Sequence, residues 1–213
     1  MTDLSHEIST VRRTIGSRTL EAGEARVLTV NRVYDTDPHD LWDALTTAER
    51  LPRWFLPVSG DLSVGGRYQL EGNASGTVER CDPPRSFAAT WEHGPEVSWL
   101  EVRLSAETGC RTRLELEHAA HVDDERWLRY GPGAAGVGWD LALMGLGLHL
   151  ASGASVDPVA AEAWTLTEAD RDFITASSEG WATASAESGT GPAQARLAAA
   201  RTTASYTGTE EPA

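Results

Sequence analysis

Turn-forming residues recur about every ten positions between residues 60 and 121, and this spacing limits the fold more than any other feature. Pairs such as Gly65-Gly66 and Pro83-Pro84 separate short runs that are rich in β-branched and aromatic residues. Strands joined by such tight connections pair with antiparallel neighbours, because a parallel crossover needs a dozen or more residues. The segment is therefore predicted to be an antiparallel meander, with strands over residues 67–71, 77–81, 86–93, 97–105 and 111–122.

One face of this predicted sheet is apolar and the other is hydrated. In the run 97–105, Leu100 and Val102 alternate with Glu101 and Arg103. The run 137–150 is apolar nearly all round, is too short to cross a bilayer, and has the length of a helix that lies across a sheet. The sequence predicts an α+β fold in which a curved antiparallel sheet wraps around this long helix.

The chain is predicted to have three parts. Residues 1–24 are polar and form an arm with one short strand over 11–15, whereas the alternating run 25–35 is the first strand of the main domain. The main domain covers residues 25–153. Residues 154–213 form an alanine-rich helical extension.

Helix-start signals define both the short helix of the main domain and the extension. Asp37-Pro38 supplies an N-cap carboxylate followed by proline at the first helical position. Asp157-Pro158, Thr167 and Pro192 begin three helices in the extension. The second of these has an apolar stripe of Phe173, Ser177 and Trp181, which is expected to pack on the core domain or on a partner subunit.

Composition excludes several classes of function. The chain carries 18 arginines, no lysine and 32 acidic residues, giving a net charge of −14, which argues against nucleic-acid and membrane-surface partners. Without lysine there is no Schiff-base or P-loop lysine chemistry. Cys81 and Cys110 are too far apart for a metal or redox motif and are expected to be small buried residues. The polar start predicts a cytoplasmic protein.

Two local motifs suggest a cofactor or a metal, and their context argues against both. Gly131-Pro132-Gly133-Ala134-Ala135-Gly136 matches a dinucleotide-binding pattern, but it follows antiparallel strands and its proline lacks an N–H donor. It is predicted to be a loop and a helix start. Glu117, His118 and His121 are metal-capable, but alternation sends the first two to opposite sheet faces. No cofactor and no metal are predicted.

Two titratable residues lie on apolar surfaces, and each has two explanations. His118 shares the apolar sheet face with Leu114, and Asp140 lies on the apolar helix. Either residue is a hydrogen-bonded core residue or a polar group inside a ligand cavity. For Asp140, the neighbouring loop offers Arg126 and Arg129 as ion-pair partners.

Several motifs together resemble one known superfamily, and they are fairly specific when taken together. In chain order they are Leu51-Pro52-Arg53-Trp54-Phe55, the run from Gly60 to Tyr68, the run from Gly76 to Phe87, Trp91, the run from Thr112 to His118, and Gly138-Trp139. Residues 25 to 153 thereby resemble the START-like (SRPBCC) superfamily, and within it the family named for the C-terminal domain of a heat-shock chaperone's ATPase activator. The resemblance implies the helix-grip fold and a cavity between sheet and long helix that holds an apolar molecule.

Three functions are carried forward. The leading hypothesis is a cytoplasmic protein that binds a small, largely apolar ligand, in a stress-response context. The alternatives are a cyclase- or hydrolase-type enzyme that uses His118 or Asp140, and a chaperone co-factor or protein-interaction module, with a homodimer through the C-terminal helices as a related expectation. No residue is assigned as catalytic. The predicted ligand-binding residues are Trp54, Phe55, Tyr68, Trp91, His118, Trp139 and Asp140.

Overall fold

The computed structural model describes residues 8–155 and 167–212 of the 213-residue chain. The strands are β1 Arg12–Leu20, β2 Gly23–Tyr34, β3 Val58–Gly60, β4 Arg67–Leu70, β5 Ser75–Asp82, β6 Ser86–His93, β7 Glu96–Glu107 and β8 Arg111–Ala120. The helices are α1 Pro38–Thr46, α2 Asp124–Tyr130, α3 Gly133–Ser152, α4 Glu168–Glu187 and α5 Pro192–Thr207, and a short 3-10 turn covers Leu51–Arg53.

All eight strands belong to one curved antiparallel sheet in the order β1-β2-β8-β7-β6-β5-β4-β3. Neighbouring strands from β3 to β8 pair antiparallel and follow one another along the chain. With the long helix α3 and the C-terminal helices, this is the helix-grip fold. The α+β architecture predicted from the sequence is therefore confirmed.

The chain groups into two compact units. Among the described residues, the first unit comprises residues 8–30, 121–144 and 167–212, and the second comprises residues 31–120 and 145–155. Strand β2 and helix α3 each contribute residues to both units. The three-part domain division stays a prediction from the sequence.

Helix starts follow the signals in the sequence. The Asp37 side chain accepts hydrogen bonds from the backbone N–H groups of His39 and Asp40, and proline occupies the first turn of α1. The Thr167 side chain caps α4 through the backbone N–H of Asp170, and α5 begins at Pro192. These three starts are confirmed, and the start predicted at Asp157-Pro158 lies outside the described residues.

Three element boundaries differ from the prediction. The strand expected over residues 11–15 extends over Arg12–Leu20, and Gly23 with its φ of 120° leads directly into β2. Residues expected to be a loop form helix α2, which the Asp123 side chain caps. Helix α3 begins at Gly133, so it takes in most of the glycine-rich motif.

Helix α3 has 20 residues and corrects the expectation that the apolar run is too short to cross a bilayer. By length and composition it is the one helix within residues 8–155 and 167–212 that could do so. It also contains Asp140 and His149, which are each only 1% exposed. A buried charged residue and a buried histidine fit the core helix of a folded domain, because polar groups inside a protein find partners there.

The two cysteines are exposed, so the expectation that they are buried is wrong. Cys110 lies at the turn between β7 and β8 and has a φ of 55°. This left-handed conformation belongs to the tight turn, and the turn holds the residue at the surface whatever its side-chain preference.

Candidate functional site

The register of the second unit places three of the predicted ligand-binding residues on one face of the sheet. Trp91 pairs with Ser98, and His118 pairs with Leu100 two residues further along β7. Directly paired residues share a face, as do residues two apart on a strand. Tyr68 pairs with Gly76 on β5, so these two residues share a face. The register between β5 and β6 shows that this is also the face of Trp91. Tyr68, Trp91 and His118 therefore lie on one face, which we call the inward face of the sheet.

Aromatic side chains form one end of this face. The buried residues Tyr68, Leu70, Val78 and Ala89 make a cluster. Partly buried apolar residues pack against it, and they are Phe55, Leu56, Val58, Leu62 and Trp91. Trp54 stacks on Phe55 with ring centroids 5.4 Å apart. The structure thus brings together the first four predicted ligand-binding residues.

Tyr68 is held in a fixed position by its hydroxyl and by a glycine. The Tyr68 hydroxyl donates to the carbonyl oxygen of Thr90 at 2.6 Å. A Cβ atom at Gly76 would lie 2.8 Å from the Tyr68 ring and 2.0 Å from that carbonyl oxygen, so only glycine fits beneath the ring. Burial raises the pKa of Tyr68 to about 12. The phenol is therefore an uncharged donor throughout the physiological pH range.

His118 is an uncharged polar group on the same face. Its Nε2 lies 2.8 Å from the Ser98 hydroxyl, and that hydroxyl donates to the Trp91 carbonyl at 3.0 Å. Because the serine has one proton to give, Nε2 of His118 carries the hydrogen and donates it to the serine. Removal from water lowers the pKa of His118 to about 4.

The second half of α3 adds a histidine that sequence reasoning missed. Nδ1 of His149 donates to the Ala154 carbonyl at 2.7 Å, and its Nε2 lies 3.4 Å from Nη2 of Arg50. Arg50 in turn pairs with Asp40 at 2.6 Å. A hydrogen bond from Thr36 and the nearby guanidinium lower the pKa of Asp40. In the sequence, His149 is a lone polar residue on an apolar helix, and the same pattern had singled out Asp140.

In the first unit, Asp140 is a paired core residue. Its Oδ2 accepts from Nε of Arg13 at 2.9 Å, from Nε1 of Trp181 at 3.1 Å and from the Ser177 hydroxyl. Burial raises the pKa of Asp140, and the Arg13 charge opposes that rise. These contacts match the first of the two explanations for Asp140, a hydrogen-bonded core residue. Its assignment as a ligand anchor stays a prediction.

The ion-pair partner of Asp140 corrects the sequence analysis. We expected Arg126 or Arg129, but the guanidinium comes from Arg13 on β1, in the segment interpreted as a polar arm. Arg129 instead pairs with Glu211 at 2.8 Å. Residues 127 positions apart cannot be matched from local spacing, because the distance between them depends on the tertiary fold.

The glycine-rich motif serves helix packing in the first unit. A Cβ atom at Gly136 would lie 2.2 Å from the Trp181 ring, and one at Gly133 would lie 3.0 Å from Thr202. These glycines let α4 and α5 approach α3 closely. Trp139 is also buried and belongs to this unit. Trp139 and Asp140 are therefore grouped apart from the other five predicted ligand-binding residues.

Comparison with known proteins places the chain in a family. The family model described as Activator of Hsp90 ATPase homolog 1-like protein matches residues 35–151. The chain belongs to this family. The crystal structure of CalU16 from Micromonospora echinospora is 35% identical, with a TM-score of 0.61 over 82% of this chain and 97% of that chain. The solution structure of the same protein, also 35% identical, has a TM-score of 0.69 over 83% and 96%.

The Activator of Hsp90 ATPase homolog 1-like family is one of START-like domains, so the resemblance found in the sequence is confirmed. MLL2253 from Mesorhizobium loti is 24% identical, with a TM-score of 0.53 over 59% of this chain and 97% of that chain, and shows the shared fold alone. No curated protein matches the chain. All seven predicted ligand-binding residues lie inside the family match, whereas the partners Arg13, Ser177 and Trp181 of Asp140 lie outside it.

Proposed function

We propose that the second unit binds a small, largely apolar and uncharged molecule against the inward face of the sheet. Its walls are Trp54, Phe55, Tyr68 and Trp91, and His118 is its polar anchor. This is the ligand-binding hypothesis of the sequence analysis, restricted to the residues that the structure groups together. Trp139 and Asp140 are left out because they belong to the first unit.

The observation that carries the proposal is the grouping of side chains on the inward face of the sheet. Tyr68, Trp91 and His118 lie on that face, and Phe55 packs with Trp91 against the buried cluster at Tyr68. His118 adds a polar group there, with its Nε2 2.8 Å from the Ser98 hydroxyl. Aromatic and apolar side chains around a small number of placed polar groups are typical of a small-molecule site.

The charge state of these groups favours a neutral ligand. Tyr68 and His118 are both uncharged at neutral pH, so neither supplies a positive charge to pair with a carboxylate or a phosphate. A histidine with a pKa near 4 is also a weak base, whereas general acid–base catalysis works best with a pKa near the working pH. His118 is therefore better suited to orient a ligand than to move its protons. The enzyme and chaperone alternatives stay predictions.

The proposal includes a cytoplasmic location and a stress-response context. The free thiols of Cys81 and Cys110 are compatible with a reducing compartment, and the family is named for an activator of the Hsp90 ATPase. Both parts of the proposal rest on these indirect observations.

Titration with a neutral apolar dye, Nile red, tests the proposal. We expect saturable binding with a blue-shifted emission, because the dye enters an apolar site. Trp91→Ala should weaken this binding at least tenfold, since removing a large aromatic contact costs about 1.4 kcal/mol or more.

Trp99→Ala is the matched control. Trp99 is also a partly buried tryptophan, but its register partner is Thr90, so it lies on the opposite face of the sheet from Trp91. Its loss should change Nile red affinity by less than about twofold. An absence of saturable binding to the wild-type chain, or equal losses for the two variants, would refute the proposal.

A further inference from the structure

A groove runs along the outer side of the α4–α5 hairpin, in the first unit. Its volume is about 800 Å³. Its floor consists of small side chains, including Ala182, Ala195 and Ala199, which form a buried cluster between the two helices. The aromatic residues Phe173 and Trp181 are buried on the other side of α4. The hairpin therefore has one side in the core and a second, apolar side open to solvent.

The two helices that border the groove carry opposite charges. Helix α4 contains five carboxylates and one arginine, whereas α5 contains two arginines and no carboxylate. At the rim of the groove, Glu179 and Glu187 lie on α4 and Arg196 lies on α5. A surface with an acidic half and a basic half is complementary to itself when a two-fold axis exchanges the halves.

We propose that this groove is the interface of a homodimer, and that its occupant is the α4–α5 hairpin of a second copy of the chain. The two hairpins form a four-helix arrangement in which α4 of each copy faces α5 of the other. The inference concerns the first unit and is independent of the proposed ligand site.

The positions of the rim charges match this arrangement. The hairpin turns between Glu187 and Pro192, so Arg196 on α5 is level with Thr183 on α4. Glu179 and Glu187 lie one turn to either side of that level, about 6 Å away along the axis. A two-fold axis parallel to the helices leaves the height of each residue along the helix axis unchanged in the second copy. Each Arg196 therefore lies between the Glu179 and Glu187 carboxylates of the other copy.

The size of the surface predicts a weak dimer. A 16-residue helix is about 24 Å long, and two packed helices present a strip about 18 Å wide. Two such strips bury roughly 1,000 Å² in total, the lower limit for a specific interface. The small alanine side chains permit close approach but contribute little apolar area each. We therefore expect a dissociation constant of about 10–100 μM, corresponding to about −5.5 to −7 kcal/mol.

Sedimentation velocity of the full chain at concentrations of about 5 to 300 μM tests this proposal. The wild-type chain should shift from monomer to dimer across the range. Arg196→Glu should remain a monomer, because it places three carboxylates together. Arg171→Glu is the matched control, since it makes the same charge change on an exposed arginine outside the groove, and it should dimerise like the wild type.

Mixing two reversed variants gives the sharpest test. Glu179→Arg/Glu187→Arg should also be a monomer, and it should retain the far-ultraviolet circular dichroism of the wild type because both positions are exposed. An equimolar mixture of this variant with Arg196→Glu should form a heterodimer, since both halves of the interface become complementary again. Such rescue also shows that neither variant had failed to fold.

Either of two results overturns the proposal. A wild-type chain that stays monomeric at the highest concentration excludes a second copy as the occupant of the groove. A wild-type dimer that persists in Arg196→Glu, or that the mixture of reversed variants fails to restore, places the interface elsewhere.

Discussion

Replacing Arg13 by methionine should destabilise the protein strongly. The side chains of Arg13 and Asp140 are 8% and 0% exposed, and their ion pair joins strand β1 to helix α3 within the first unit. Methionine keeps the apolar stem of the arginine and removes the charge. Asp140 would then be a buried carboxylate without a counter-charge, left with only the Ser177 and Trp181 donors.

The expected cost is about 3–5 kcal/mol, because removing one partner leaves an uncompensated buried charge. For a chain of this size, each kcal/mol lowers the melting temperature by about 2–4 °C, so we expect a fall of roughly 10 °C. Urea unfolding followed by circular dichroism measures the free energy of unfolding directly. Arg85→Met is the control, since Arg85 and Asp82 form an ion pair with side chains 71% and 48% exposed. It should cost less than about 0.5 kcal/mol.

The double variant Arg13→Met/Asp140→Leu separates the charge effect from the loss of packing. With both charges absent, no buried ion lacks a partner, and most of the lost stability should return. A loss below about 1 kcal/mol for Arg13→Met would refute the reasoning. A double variant as unstable as the sum of its single changes would refute it too, because the two residues would then act independently.

Three further predictions concern single side chains. Because the pKa of His118 is lowered, its neutral form stabilises the fold fully above about pH 6.5. About 3 kcal/mol of that stability should be lost as the pH falls to about 4. An NMR titration that gives His118 a pKa near 6.5 in the folded protein would contradict this. Gly136→Ala should lower the free energy of unfolding by about 2–4 kcal/mol and red-shift tryptophan emission, because its methyl group would displace the Trp181 ring. Gly138→Ala, whose nearest contact would be at 3.5 Å, should be neutral or stabilising by up to about 1 kcal/mol, and equal effects of the two alanines would contradict the packing argument. Tyr68→Phe should cost about 1 kcal/mol in urea unfolding while Nile red still binds, and a complete loss of binding would mean that the hydroxyl contacts the ligand.

Much of the second unit could be predicted from the sequence. Strand alternation placed His118 on the apolar face of the sheet, and its register pairing with Leu100 confirms that placement. The cap at Asp37 was also readable, because capping depends on residues a few positions apart. In each of these cases the determining contact is local in the chain, or repeats with the period of a strand.

The first unit was less predictable. The strand from Arg12 has a weak pattern, and the helix after Asp123 is short and mostly exposed, so neither had a strong apolar signal. The glycine-rich motif was interpreted as a loop and a helix start, and the reason for its glycines was missed. That reason is the Trp181 ring, which lies 45 positions beyond Gly136 in the chain.

Local chemistry determined, from the sequence alone, that this chain folds as a turn-rich antiparallel sheet with one long apolar helix, and its motifs taken together resembled START-like domains. Turn propensity, alternation and helix capping act over a few residues, and the sequence displays them directly. Only the tertiary structure decided that Arg13 neutralises Asp140 and that Ser98 fixes the proton of His118. Which buried polar groups meet depends on how the fold brings distant segments of the chain together. The neighbours of a residue in the sequence do not encode its distance in space from such a segment.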